Sequence, residues 1–192
     1  MLTGASGGRL LNLCNFSSRL PQLSRLLAGS LFFSLVGAPT VGAADDFEDF
    51  GDIAQIVLPL AGAVCAYNAD ELGSNLAAFG LQTLSVEGTK TLLSDTELGT
   101  RPNGGGRGFP SGHTAAAFFG ARSISKYCFG DGDVAKKLAV YGIAAAVGAS
   151  RITSDNHNFG QVVAGAAVGY FFGSLGVGYD GQNVSWTIEY NF

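Results

Sequence analysis

Histidine, cysteine and charged residues are all scarce in this sequence. Its 192 residues include two histidines and three cysteines, which are too few and too widely spaced for a metal-binding cluster. Charged residues make up 14% of the chain, whereas 47% of its residues are hydrophobic and 29 are glycines. This composition is too apolar for a disordered chain and poor in charge for an ordinary soluble surface.

Basic residues are also outnumbered by acidic ones. The chain has 11 lysines and arginines against 15 aspartates and glutamates, which gives a formal net charge of −4. A protein that binds nucleic acid needs an excess of the opposite sign, so we expect no nucleic-acid partner. A length of 192 residues is typical of one domain with one core.

The first 44 residues differ from the rest in charge, because they carry three arginines and no acidic residue. An apolar run of about 13 residues, LLAGSLFFSLVGA, follows the last arginine and precedes the small residues Ala43 and Ala44. A bilayer-spanning helix needs roughly 20 apolar residues, so a signal peptide over residues 1–44 is favoured over a membrane anchor. The sequence then predicts an exported protein, in the periplasm or at the periplasmic face of the envelope membrane, with a single domain over residues 45–192.

Five apolar segments in that domain are longer than typical strands and are separated by turn-forming residues. They cover residues 53–67, 71–93, 112–127, 134–150 and 159–178. The pattern predicts an all-α fold, a helical bundle of about five core helices within residues 53–179. In the tail, residues 180–192, apolar and polar residues alternate from Val184 to Phe192, which predicts a short strand at the edge of the bundle.

Small residues and cysteines in the predicted helices indicate how the bundle packs. Gly165, Gly169 and Gly173 are spaced by four residues, so on a helix they share one face and allow close packing in lipid or in a tight core. Residues 160–179 carry no charge and form the best candidate for a membrane-spanning helix; the alternative is a buried helix of a compact bundle. Cys65 and Cys128 fall in different predicted helices, and we expect buried thiols rather than a disulfide.

Three short clusters contain the residues best suited to chemistry. The first is Lys90 with the Arg-Pro pair at 101–102, the second is the PSGH turn at 110–113, and the third runs from the Ser-Arg pair at 150–151 to His157 and Gln161. Each cluster falls at the end of a predicted helix or in a loop between helices. A bundle can therefore bring all three clusters to one end.

The residue types in these clusters suit the binding of an anion. Ser111 is placed to cap a helix whose free backbone N–H groups bind phosphate, and Gly112 lets an oxyanion approach its amide. The guanidinium groups of Arg101 and Arg151 match phosphate oxygens bidentately. The two histidines supply an acid and a nucleophile. Taken alone, the stretch NGGGRG is a linker, because the Lys-Ser/Thr pair of a nucleotide phosphate loop does not follow it, and a lone histidine is more often structural.

In their order and spacing, the clusters resemble the signature of the phosphatidic acid phosphatase type 2 / vanadium haloperoxidase superfamily. That signature is K-x6-RP, then PSGH, then SR-x5-H-x3-D. The chain has RP at 101–102, FPSGHTA at 109–115 and SRITSDNH at 150–157. The similarity extends over residues 53–179 and implies a helical bundle with the phosphate site at one end.

The resemblance implies a role for each matching residue. His157 would attack phosphorus and form a phosphohistidine, and His113 would protonate the leaving alkoxide. Five residues would hold the phosphoryl oxygens: Lys90, Arg101, Ser111, Gly112 and Arg151. Such sites hydrolyse phosphate esters without a metal or another cofactor. Relatives that bind vanadate at the same place act as haloperoxidases, so vanadate is expected here as an inhibitor or as a haloperoxidase cofactor.

The chain departs from the signature at two positions. Ser94 stands where the lysine is expected, and the nearest lysine, Lys90, lies about one helical turn before it, unless a helical bulge restores the register. Gln161 stands where the signature has the aspartate that orients the nucleophile, and it is predicted as a third catalytic residue beside His157 and His113. Its side-chain carbonyl accepts an imidazole N–H but carries no charge. Asp155 is an alternative partner for the nucleophile if the loop folds back.

The sequence therefore predicts a metal-independent phosphatase that hydrolyses a phosphomonoester or a lipid (pyro)phosphate on the periplasmic side. A lipid phosphate suits the apolar helices and membrane association, whereas a phosphorylated small molecule suits the size of the chain. The alternative is a catalytically weakened or inactive phosphate-binding envelope protein, because Gln161 lacks the charge of the aspartate. A haloperoxidase would oxidise bromide only after vanadate is added.

Overall fold

The computed structural model describes residues 44–179 and 183–188. Within these residues the chain forms five helices and two strands: α1 (Ala44–Asn68), α2 (Leu72–Leu92), α3 (Gly112–Cys128), α4 (Val134–Thr153), α5 (Phe159–Ser174), β1 (Leu175–Tyr179) and β2 (Val184–Ile188). The two strands pair as an antiparallel hairpin. The predicted helical bundle with a strand-like tail is confirmed. The predicted signal peptide lies outside the described residues, apart from Ala44 at the start of α1.

Helix α3 is the most buried of these helices, with ten of its 17 residues buried. The small residues along it allow its neighbours to approach closely. Gly120 faces the α1 backbone at Leu58, where there is no room for a side chain. Gly165, Gly169 and Gly173 of α5 face α3 in the same way, so the close packing predicted from their spacing is confirmed. The polypeptide backbones of α1 and α5 therefore pack directly on α3.

The helix bounds differ most from the prediction at the start of α1. The acidic stretch DDFEDFGD was expected to precede the first helix but is helical, and α1 begins at Ala44 rather than 53. Asp45 and Asp46 lie in its first turn, where negative charge stabilises the helix dipole. Helices α2 and α3 agree with the predicted 71–93 and 112–127 within one residue at each end, and α4 continues three residues beyond 150.

The last predicted helix, 159–178, is too long. Helix α5 ends at Ser174, and the next residues form β1, in which Leu175 pairs with Ile188. Gly176 and Gly178 occupy positions where a Cβ atom would collide with side chains of β2. Gly176 and Gly178, which were included in the predicted helix, therefore allow β1 and β2 to pair closely.

The candidate membrane-spanning helix is also not the predicted one. Residues 160–179 are not a continuous helix, and the 16 residues of α5 are fewer than the roughly 20 that span a bilayer. Among the described residues, one helix is long and apolar enough to cross a membrane: Asp45–Asn68, with a mean hydropathy of 1.5 and a third of its apolar window buried. One side of this helix exposes large apolar side chains: Ile53, Ile56, Leu60, Val64 and Tyr67.

The expectation of two buried thiols is wrong, because Cys65 and Cys128 form a disulfide. The bond joins the C-terminal ends of α1 and α3, whose packing brings the two Cα atoms to 5.3 Å. That distance is within the range that a disulfide requires. Because 63 positions separate the cysteines, their sequence spacing alone gave no sign of this proximity.

Candidate active site

A pocket of about 250 Å³ opens where helix ends from different parts of the bundle meet. The start of α1, the end of α2, the loop before α3, the start of α3, the end of α4 and the turn before α5 all contribute to its lining: Glu48, Asp52, Lys90, Arg101, His113, Arg151, Asn156 and His157. Both histidines and all three predicted phosphate-binding cations are therefore brought together. Residues from all three sequence clusters share one cavity.

The PSGH turn opens α3, with Ser111 as its N-cap. The Ser111 Oγ accepts hydrogen bonds from the Thr114 N–H at 3.5 Å and from the Thr114 hydroxyl at 3.0 Å. Ser111 is fully buried, and its side chain is not part of the pocket lining. A Cβ atom added to Gly112 would lie 2.9 Å from Nζ of Lys90. The glycine therefore leaves room for an ammonium group at the start of α3.

Lys90 reaches the pocket although it precedes the expected lysine position by four residues. Its side chain is 14% exposed, and its Nζ lies 3.0 Å from Oε1 of Glu87. Nη2 of Arg107 contacts the other oxygen of the same carboxylate at 2.7 Å. Glu87 thus pairs with two cations, one of which lines the pocket. The pKa of Glu87 lies below the usual value for a glutamate, chiefly because of its hydrogen bond to Lys90.

Arg101 comes from a loop that is more ordered than the linker its glycines suggest. The Arg101 N–H donates to the Gly105 carbonyl at 2.7 Å, and its carbonyl accepts from the Gly104 N–H at 2.9 Å. Gly104 has a φ of 83°, which favours glycine at this turn. The Nε atom of Arg101 is buried and has no hydrogen-bond partner within the part of the chain that the structure describes. The side chain therefore retains a free donor beside the pocket.

His157 and Gln161 form a buried pair at the start of α5. The His157 Nδ1 lies 3.2 Å from the Gln161 Oε1, and the two residues are 3% and 1% exposed. Burial lowers the pKa of His157 to about 4; its hydrogen bonds to the Gln161 side chain and to the Gly108 backbone oppose this shift, whereas the charge of Arg101 adds to it. His157 is therefore neutral at neutral pH.

Neighbouring carbonyl groups fix the orientation of the Gln161 amide. Its Nε2 donates to the backbone oxygen of Leu98 at 2.9 Å and to that of Thr100 at 2.8 Å. Since a carbonyl oxygen only accepts, the amide nitrogen must face these two groups and the amide oxygen must face His157. The imidazole then donates from Nδ1, which leaves the lone pair on Nε2. Asp155, the alternative partner, is exposed with a φ of 55°, and Gln161 is the residue in contact with Nδ1.

His113 and Arg151 share a carboxylate that the sequence analysis did not identify. The Asp52 Oδ1 lies 3.0 Å from the His113 Nε2 and 2.7 Å from the Arg151 Nη1. Burial and then the charge of Arg151 lower the pKa of His113, and Asp52 partly offsets both effects. One carboxylate oxygen therefore contacts both a candidate general acid and a candidate phosphate ligand.

Glu48 and Asn156 complete this side of the pocket. The Arg151 Nη2 donates to the Glu48 backbone oxygen at 2.6 Å, and the Asn156 Nδ2 donates to the Glu48 Oε1 at 2.6 Å. Arg151 is almost completely buried, with 2% exposed, and its bonds to Asp52 and to the Glu48 backbone hold its guanidinium in place. Glu48 and Asp52 lie four residues apart on α1 and hence on one face. The four-residue spacing of Glu48 and Asp52 within DDFEDFGD was the sequence signal that could have identified this pair. It places the two carboxylates on one face only if the acidic stretch is helical.

The PAP2 superfamily model matches residues 74–184. The lipid A 1-phosphatase of Porphyromonas gingivalis is 39% identical over 77 residues, which amount to 40% of this chain and 17% of that protein. The aligned part is thus about a sixth of that relative. No solved structure matches the chain significantly. The family match includes all the residues predicted from the sequence clusters but begins after α1, which supplies Glu48 and Asp52. The chain belongs to the PAP2 superfamily.

Proposed function

We propose that this protein is a phosphatase that hydrolyses a lipid phosphate through a phosphohistidine intermediate. The observation that carries the proposal is the meeting of His113, His157 and three cations in one cavity. In this proposal Lys90, Arg101 and Arg151 neutralise the charge of the phosphoryl group, so that no metal ion is required. The backbone amide of Gly112, at the start of α3, adds a donor and the positive end of a helix dipole.

The two histidines divide the chemistry between them. In the first step the Nε2 of neutral His157 attacks phosphorus, while the bond from phosphorus to the leaving oxygen breaks and His113 gives that oxygen its proton. In the second step neutral His113 takes a proton from water, and the resulting oxygen attacks phosphorus. The bond between phosphorus and nitrogen then breaks, inorganic phosphate leaves, and both imidazoles return to their first state.

A lipid phosphate is the proposed substrate class, and the site is proposed to act at the periplasmic face of a membrane. The relative from Porphyromonas gingivalis is named for its action on lipid A. The exposed apolar side of α1 suits contact with a lipid phase. The disulfide between Cys65 and Cys128 is typical of an oxidising compartment outside the cytoplasm. These three observations favour a membrane-associated, exported enzyme over one that acts on soluble phosphates in the cytoplasm.

The experiment is release of phosphate from phosphatidate in mixed micelles and from p-nitrophenyl phosphate, with the full chain purified in detergent. We expect turnover of phosphatidate in the wild type and its loss in His157→Gln. Asp131→Asn, in the exposed loop between α3 and α4, is the control and should retain full activity. Turnover of the soluble ester alone would contradict the lipid substrate.

The second candidate, a phosphate-binding protein without activity, is favoured by the neutral Gln161 beside His157. It predicts that vanadate and phosphate bind although neither ester is hydrolysed. A haloperoxidase would differ from both, because vanadate would then support bromide oxidation rather than only inhibit hydrolysis. The same preparation assayed with each ester, and with vanadate plus bromide and peroxide, separates the three functions.

A further inference from the structure

Gln161, itself part of the third cluster, contacts His157, the backbone just before Arg101 and the PSGH turn. Its amide oxygen faces His157, and its amide nitrogen donates to the carbonyls of Leu98 and Thr100, which lie three residues and one residue before Arg101. Its backbone oxygen accepts from the Ser111 N–H of the second cluster at 2.9 Å. The side chain and the backbone carbonyl of Gln161 therefore connect His157, through hydrogen bonds, to the segments that contain the proposed phosphate ligands.

The position of Gln161 within α5 is itself fixed. Asn158 caps the helix, with its Oδ1 accepting from the Gln161 N–H at 2.9 Å, while the Gln161 Oε1 accepts from the Asn158 N–H at 3.2 Å. The amide oxygen thus accepts from a backbone N–H as well as facing the imidazole. Every polar atom of this buried side chain has a partner, which is what a rigid connection requires.

The chain also keeps the space between Gln161 and Arg101 free. A Cβ atom at Gly108 would lie 2.6 Å from the Gln161 Nε2 and 2.9 Å from the Arg101 Cγ. The two side chains therefore approach Gly108 from neighbouring directions, and any larger residue there would displace one of them. This close packing around Gly108 is independent of the hydrogen bonds, and it also indicates that the side chains of Gln161 and Arg101 lie next to each other.

An aspartate at position 161 could not make these contacts. Its side chain is one methylene shorter, and a carboxylate offers only acceptors to the two carbonyl groups that now receive hydrogen bonds. Those carbonyls would lose their donors inside the protein, where an unsatisfied polar group is costly. Glutamine at this position is therefore matched to its surroundings and is not merely an aspartate that has lost its charge.

We propose that Gln161 is a positioning residue that couples the nucleophile to the phosphate-binding segment of Arg101. Its oxygen holds His157 in the tautomer with a free Nε2, while its nitrogen holds the backbone that carries Arg101. The proposal rests on the proposed function for its catalytic consequence, but its binding consequence can be tested without activity.

The test compares Gln161→Glu, Gln161→Asp and Gln161→Met in the full chain, with inorganic vanadate as the binding probe. We expect each variant to bind vanadate at least tenfold more weakly, because Arg101 is no longer held, and we expect none to hydrolyse esters faster than the wild type. Gln82→Glu is the matched control: Gln82 is also a buried glutamine, on α2 outside the pocket lining. It should lower stability while leaving vanadate affinity unchanged.

A second readout follows the nucleophile directly. The chain has only two histidines, so the ¹⁵N resonances of His157 are assigned by comparison with His113→Gln. In Gln161→Met the preference for a protonated Nδ1 should weaken, because the Gln161 oxygen no longer accepts from it. Thermal unfolding verifies that the variant folds. If Gln161→Glu does not fold, Gln161→Met and Gln161→Asp decide. Vanadate affinity within twofold of wild type, an unchanged His157 tautomer, or faster hydrolysis by Gln161→Asp would each overturn the proposal. A wild type that binds vanadate without hydrolysis contradicts the proposed function but leaves the coupling measurable.

Discussion

The carboxylate of Asp52 contacts Arg151 across 99 residues of sequence, with 2.7 Å between Oδ1 and Nη1. Helix α1, which carries Asp52, lies before the region that the family model matches. The same oxygen is 3.0 Å from the His113 Nε2. A helix outside the matched region therefore influences two residues of the family signature.

Removing the Asp52 charge should lower the pKa of His113. Burial and the charges of Arg151 and Lys90 already hold this pKa below its usual value, and Asp52 is the group that opposes them. In Asp52→Asn we expect a further decrease, measured by NMR titration of the His113 ring. Asp49→Asn, an exposed residue of the same helix, is the control. Equal His113 pKa values in both variants would contradict the assigned contact.

The pH dependence of kcat/KM should be bell-shaped with an acidic optimum. His157 must be neutral to attack, and its pKa is lowered to about 4, so activity should rise as the pH increases through that value. His113 must be protonated to act as an acid, and its pKa is below 6.5, so activity should fall before neutral pH is reached. The check is kcat/KM for phosphatidate in mixed micelles between pH 3 and 9, because its leaving alkoxide needs the proton from His113. An optimum at or above pH 8 would disagree with these assignments.

A side chain at Gly120 should destabilise the bundle. A Cβ there would overlap the α1 backbone at Leu58, so Gly120→Ala should lower the free energy of unfolding by about 1–3 kcal/mol through overpacking. Gly142→Ala is the control, because Gly142 is also within a helix but has no atom within 4 Å of an added Cβ. It should gain up to about 1 kcal/mol from helix propensity. Urea denaturation measures both, and similar values would refute the close approach of α1 and α3.

Reduction of the disulfide should lower stability with little effect on the pocket. The bond between Cys65 and Cys128 joins the helix ends opposite to those that line the pocket. Its loss should cost about 2–4 kcal/mol of stability, because the unfolded chain gains freedom. Thermal unfolding and the binding of inorganic phosphate, which thiols do not reduce, are measured with and without dithiothreitol, and the variant with both cysteines replaced by alanine should not respond to the reductant. Weaker phosphate binding by the folded, reduced protein would show that the bond shapes the pocket.

Features that depend on local order and spacing could be predicted from the amino-acid sequence. The helical segments, the Ser111 cap, the glycine face of α5 and the three clusters are properties of neighbouring residues, and a helix or turn translates their spacing directly into geometry. For that reason the family resemblance and five of the pocket residues, Lys90, Arg101, His113, Arg151 and His157, were predictable from the sequence. The roles of these residues remain predictions until activity is measured.

Contacts between residues far apart in the chain could not be predicted in this way. The pairing of Asp52 with His113 and Arg151, the disulfide at the other end of the bundle and the two amide donors of Gln161 all depend on which helices and loops pack side by side. The same holds for β1, because residues 175–179 become a strand through pairing with β2. Spacing in sequence does not specify these distances, since they are set by close packing of α1 and α5 on α3, and that packing is decided by the whole core at once.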